Sequence, residues 1–168
     1  PNAVFSNLKY ITQPAFNQSH RFYVDGDLAV STKAQTAGKN YLVATLGRGD
    51  KGLFGLNVTD PDNFNGGSSG DWGWEYFPTD DDDLGHMLGR PIIAGDKVIV
   101  GNGYNSRTIE SNSKAVLFVY ELATGNLIRK IDTGVAGDNG LATPGVFDSD
   151  NNTNATTADA SPSRDGGG

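Results

Sequence analysis

Apolar and polar positions in this chain alternate over short stretches, separated by glycine, asparagine and aspartate, and that alternation predicts β-strands. The strongest run is residues 115–122 (AVLFVYEL), where Val, Phe, Val and Tyr follow one another. Ala123-Thr124-Gly125-Asn126 then supplies hairpin chemistry, since Gly and Asn tolerate the positive φ of a tight turn. Residues 127–131 return as a second strand, with Leu127, Arg129 and Ile131 on one face and Ile128 and Lys130 on the other. Earlier in the chain, residues 41–46, 53–58 and 72–77 read the same way, the last with Trp72, Trp74 and Tyr76 on one face. Residues 97–101 are a short buried-type strand. Residues 1–19 mix apolar and polar positions around Pro14 without a clear period, and helical periodicity nowhere lasts more than two turns.

The strands repeat as a set. Residues 42–46, 53–59 and 72–77 form one triplet, and residues 97–101, 116–124 and 127–131 form another. Each is preceded by a short segment of glycine and small apolar residues, at 26–30 and 89–94, and a third such opener falls at 140–146. The openers recur about every 50–65 residues, which suits four-stranded propeller blades better than a sandwich, whose strands need no ordered repetition. The predicted fold is therefore all-β: a partial β-propeller of about two to three antiparallel four-stranded blades, part of a larger ring. Residues 1–154 make the propeller portion, with blades at about 20–79 and 84–134 and the start of a third at 139–154. Residues 155–168 (ATTADASPSRDGGG) read as a flexible polar tail.

Composition narrows the picture. Gly accounts for 23 of 168 residues, which favours turns over a helical bundle. The net charge of −7 argues against nucleic acid and against an anionic membrane surface. No run of apolar residues is long enough for membrane insertion. With no cysteine there is neither a disulfide framework nor a thiolate metal site, and the compartment stays open. Two histidines, His20 and His86, are too few for the usual zinc sites. The chain starts at Pro1 without a visible signal peptide and reads as a piece of something longer.

Four stretches invite a chemical reading. Asp148, Asp150, Asn152 and Asn154 alternate through one loop, so their hard oxygens can converge on a calcium ion, and Asp159 stands at the twelfth position, where a bidentate carboxylate closes an EF-hand loop. A solvated Asx-rich turn is the other reading. Asp80 to Asp83 are four adjacent carboxylates pointing in alternating directions, read as a solvated turn. Arg48-Gly49-Asp50 spells the tripeptide that integrins bind when a loop exposes it, while a hairpin turn that needs glycine explains the same residues. Gly66-Gly67-Ser68-Ser69-Gly70 matches a nucleophile elbow in letters only, because no helix follows it.

Six motifs together resemble the PilC/PilY family of type IV pilus-tip factors: HRFYVDG at 20–26, KGLFGLNVTDPDNF at 51–64, DDDLGHMLGRPII at 81–93, VIVGNGYNS at 98–106, LFVYELATGNLIRKIDTG at 117–134 and NGLATPGVFDSDN at 139–151. The resemblance implies the family's carboxy-terminal propeller and an extracellular place at the cell surface and pilus tip, associated with the outer membrane. It implies no enzymatic activity, and a part in pilus biogenesis, twitching motility and adhesion. The implied partners are minor pilins or the pilus-tip complex, and a host or abiotic surface. It also implies a calcium loop of the form D-x-D-x-D-G-x-x-D. Asp148, Asp150 and Asn152 occupy its first, third and fifth positions, whereas Thr153 replaces the glycine and Thr156 the final acid. A quinoprotein-like propeller enzyme and a structural subunit of an extracellular filament are the alternatives from other classes.

Overall fold

The computed structural model describes residues 1–63, 73–106, 113–135, 137 and 139–146. Two four-stranded antiparallel sheets carry the fold, each a simple meander. The first contains β1 (Leu28–Val30), β2 (Tyr41–Thr45), β3 (Leu53–Asn57) and β4 (Trp74–Tyr76). The second contains β5 (Ile92–Ala94), β6 (Lys97–Gly101), β7 (Val116–Glu121) and β8 (Leu127–Asp132). The triplets expected from sequence are β2–β3–β4 and β6–β7–β8, and the openers supply β1 and β5. The all-β reading and the four-stranded blades hold.

The sheets pack face to face around Val43, Leu53, Val98, Val100, Val116, Phe118 and Tyr120, all buried. Alternation explains which residues go inside. On β7, Val116, Phe118 and Tyr120 are buried while Leu117, Val119 and Glu121 are partly covered, the period of two that a pleated strand imposes. The packing is graded along each sheet. The inner strands contribute alanines, Ala29 on β1 and Ala94 on β5, both buried. The outer strand β4 contributes Trp74 and Tyr76, and Tyr120 on β7 of the next blade stacks on Tyr76 at 4.9 Å and on Trp74 at 5.9 Å between ring centroids. Small residues inside and large rings outside give two sheets a wedge-shaped gap, the geometry of neighbouring blades around an axis. The aromatic strand thus serves blade packing through Trp74 and Tyr76; Trp72 lies outside the described residues.

The amino-terminal stretch differs from its patternless appearance. Residues Asn2–Phe5 form one α-helical turn, and Leu8–Tyr10 and Phe16–Gln18 form 3-10 turns. Single turns bury only Val4 among them, so no amphipathic period is needed to specify them. At the other end, the expected opening strand of a third blade makes one bridge among its described residues, Gly103 to Leu141. An innermost strand has one neighbour within its own blade, and here that neighbour would follow residue 154, outside the described residues. No helix of the described residues is long and apolar enough to cross a membrane.

Candidate functional site

The two sheets hold their loops at two ends. One end gathers the β2–β3 turn, the link from β4 to β5 and the loop after β6. In the β2–β3 turn, Gly49 N–H donates to the Leu46 carbonyl oxygen at 3.0 Å, and Leu46 N–H to that of Gly52 at 3.1 Å. Gly47 adopts φ +59°. A side chain on Gly49 would come within 1.7 Å of the Tyr23 carbonyl oxygen. The glycines are thus required by a close fit of this turn against residues 23–26. Within the triplet Arg48-Gly49-Asp50, only Arg48 is exposed. Its guanidinium sits 5.4 Å from the Phe22 ring centroid, and Asp50 Oδ1 accepts from the Lys51 N–H at 2.8 Å.

The next side chain is unusual. Lys51 is buried at 7% exposure, and its Nζ donates to the Ser106 carbonyl oxygen over 3.5 Å. Loss of hydration holds the ammonium below the usual lysine range, and the charge of Asp50 opposes that only in part. Nearby, His86 Nδ1–H donates to the Gly47 carbonyl oxygen at 2.9 Å and its ring packs on Tyr104, tying the two blades at this end.

Asn102 organises the same region. It is fully buried, and its side chain uses all four hydrogen-bonding positions. Nδ2 donates to the carbonyl oxygens of Asp83 at 2.9 Å and Lys114 at 2.7 Å. Oδ1 accepts from Val116 N–H at 3.0 Å and Leu141 N–H at 2.9 Å. One side chain therefore fixes the inter-blade link, the start of β7 and the start of the segment that leads into the acidic loop. Asp148, Asp150, Asn152, Asn154 and Asp159 themselves lie outside the described residues. As a donor set they fit calcium: three carboxylates and two amide carbonyls, all hard oxygen ligands.

The acidic run at 80–83 is a turn only partly solvated: Asp80 and Asp82 are exposed, whereas Asp81 and Asp83 turn inward. Asp83 is buried, and Lys130 Nζ lies 2.7 Å from an oxygen of Asp83 and 2.7 Å from one of Asp81. Alternation does send neighbouring carboxylates in opposite directions, but β8 brings a lysine to meet two of them. Burial pushes the Lys130 ammonium down, and its hydrogen bonds to Asp81 and Asp83 more than offset this, for a net upward shift. Asp81, Asp82 and Asp83 bring carboxylate oxygens within 4.8 Å of one another, as a metal would require. The lysine ammonium already supplies the positive charge there.

At the opposite end, Gln35, Thr36, Lys39, Tyr41, Glu121 and Leu122 line an open groove of about 290 Å³ between the blades. The Gly-rich stretch at 66–70 lies outside the described residues. Sequence reasoning passed over Asn102, Lys51 and Lys130. The first sits directly after a predicted strand and before a glycine, a place where a buried cap could be suspected; the two lysines carry no local signal.

The whole chain, residues 1–168, matches the family model described as the PilY1 beta-propeller domain. A type IV pilus biogenesis factor PilY1 homolog of Xylella fastidiosa is 36% identical over 167 residues, covering 89% of this chain and 11% of that protein. The type IV pilus biogenesis factor PilY1 of Pseudomonas aeruginosa is 36% identical over 159 residues, covering 88% of this chain and 13% of that protein. The crystal structure of the Pseudomonas aeruginosa PilY1 C-terminal domain superposes with a TM-score of 0.60 at 29% identity, over 90% of this chain and 29% of that one. The chain thus spans between 11 and 13% of the length of these two curated relatives. With two four-stranded blades and the family model matched from the first residue to the last, the chain belongs to the PilY1 β-propeller domain family.

Proposed function

We propose that this chain is the blade-bearing part of a type IV pilus biogenesis factor, working by binding rather than by catalysis. The observation that carries this reading is the family match over all 168 residues, joined to two four-stranded antiparallel blades. Its place is the cell surface at the pilus tip, associated with the outer membrane. Minor pilins or the tip complex engage it there, and through it the pilus serves twitching motility and contact with a host or abiotic surface.

The blades position recognition loops, and the loops do the work. Arg48 projects from a turn that glycine packing keeps fixed, so the Arg48-Gly49-Asp50 loop offers a preformed cationic tip. Calcium is the regulator in this proposal. Asp148, Asp150, Asn152, Asn154 and Asp159 would hold it, and it would neutralise their mutual repulsion and order the loop. Asn102 contributes by anchoring Leu141, from which the chain runs into that loop.

A chimera tests the reading. Pseudomonas aeruginosa lacking its own PilY1 is complemented with that protein carrying this chain in place of the matching propeller segment. Restored surface pili and twitching are expected. A chimera that is exported and folded yet leaves the cells without pili overturns the proposal.

A further inference from the structure

Two buried polar residues meet across the blades, Lys51 reaching the backbone carbonyl oxygen of Ser106, and both are poorly partnered among the described residues. Lys51 leaves the β2–β3 turn of one blade, and Ser106 follows β6 of the next. The ammonium makes one long contact, 3.5 Å to the Ser106 carbonyl oxygen, and no carboxylate pairs with it among the described residues. Ser106 is 3% exposed, and its hydroxyl has no hydrogen-bond partner among the described residues. Buried polar groups are normally satisfied, so an orphan hydroxyl beside an underpaired ammonium marks a place for something else.

The backbone around both residues is closely packed. A side chain on Gly52, at φ +120°, would meet the Tyr76 carbonyl oxygen at 2.1 Å, and Gly52 N–H donates to the Gly85 carbonyl oxygen at 3.2 Å. The turn is clamped on both sides of Lys51, because Gly49 packs equally closely on Tyr23. Opposite it, His86 and Tyr104 exchange backbone hydrogen bonds at 2.8 and 3.2 Å, fixing the approach to Ser106. Among the described residues, Asp50 is the acid whose charge acts on the ammonium, and one of its oxygens accepts the Lys51 backbone N–H.

We propose that Lys51 and Ser106 form an inter-blade binding site for a carboxylate. An ammonium and a hydroxyl give one full positive charge and two donor groups, and a carboxylate matches both with a single negative charge and two acceptor oxygens. A phosphate dianion would bring unmatched charge into a chain that is already net negative at −7. The carboxylate comes from an acidic side chain of a partner protein or from a free small acid.

The test is an NMR titration of the full chain, following the Lys51 Nζ resonance as sodium acetate replaces sodium chloride at constant ionic strength. A parallel arm uses a short end-blocked peptide with one aspartate, and its asparagine counterpart. A saturable shift at Lys51 and the Ser106 amide is expected, absent in Lys51→Met and weakened about fivefold in Ser106→Ala. Ser106→Ala removes only an unpartnered hydroxyl, so it keeps the test decisive if Lys51→Met does not fold. Saturation by both acetate and the aspartate peptide supports a partner's acidic side chain; saturation by acetate alone supports a free acid. A Lys51 resonance that moves in neither arm, or affinity unchanged by Ser106→Ala, overturns the site.

Discussion

The indole N–H of Trp74 donates to the carbonyl oxygen of Leu122 at 2.9 Å, crossing from the outer strand of one blade to the end of β7 in the next. The same ring covers Gly125, where an added side chain would come within 2.4 Å of it, and Gly125 sits at φ +75°. One aromatic side chain therefore links two blades by a hydrogen bond and by contact with a bare backbone.

Trp74→Phe leaves the Leu122 carbonyl oxygen without this donor and opens space above Gly125. The expected loss is about 2–3 kcal/mol. Gly125→Ala costs at least as much, since it combines a strained φ with a collision against the indole. Urea unfolding of both variants checks this. A loss below about 0.5 kcal/mol, the size of an ordinary surface substitution, would show that the blades do not depend on the contact.

Replacing Asn102 tests the hub. Asn102→Leu keeps the volume but orphans two carbonyl oxygens and two N–H groups, at a cost of about 3–5 kcal/mol. Hydrogen exchange gives the sharper readout. The amides of Val116 and Leu141 lose protection in the variant well beyond any global change. Equal loss at every amide would mean that Asn102 stabilises without positioning.

The Lys130 cluster predicts a pH dependence with a definite sign. Its folded pKa is raised above the ordinary 10.5. The stability it contributes is therefore complete below about pH 10.5 and is lost as pH climbs through the folded value. Lys130→Met removes that alkaline loss. At neutral pH it costs about 2–3 kcal/mol, below the roughly 3–5 kcal/mol of fully buried pairs, because Lys130 is 32% exposed whereas Asp83 is 7% exposed. Urea midpoints of both proteins between about pH 8 and 12 decide the matter. Parallel pH curves would show that another group governs the alkaline limit.

Calcium binding is checked by calorimetry on the full chain. Micromolar affinity is expected, falling at least about tenfold in Asp150→Ala, since removal of one carboxylate takes away both a ligand and its charge. Absence of heat at millimolar calcium would leave the function to the binding surfaces alone. It would also show that Thr153 and Thr156 do not substitute for the glycine and the acid of the family pattern.

Local chemistry made the blades legible. Alternation in residues 97–101 and 116–121 marks strands because a pleated chain must send neighbours to opposite faces. Gly125 marks a turn because only a residue without a side chain fits there. The repeat of these signals, together with six motifs in order, identified the family. Polar pairing was beyond reach of the same reasoning. Lys130 and Asp81 are 49 residues apart and Asn102 and Leu141 are 39 apart, distances over which no period carries information. Tertiary packing alone decided that a lysine pairs with two carboxylates of the acidic run, that an asparagine at a strand end becomes a hub, and that Lys51 stays buried. Each of these outcomes depends on which blade faces lie together, and burial then requires every polar group to find a partner or a ligand.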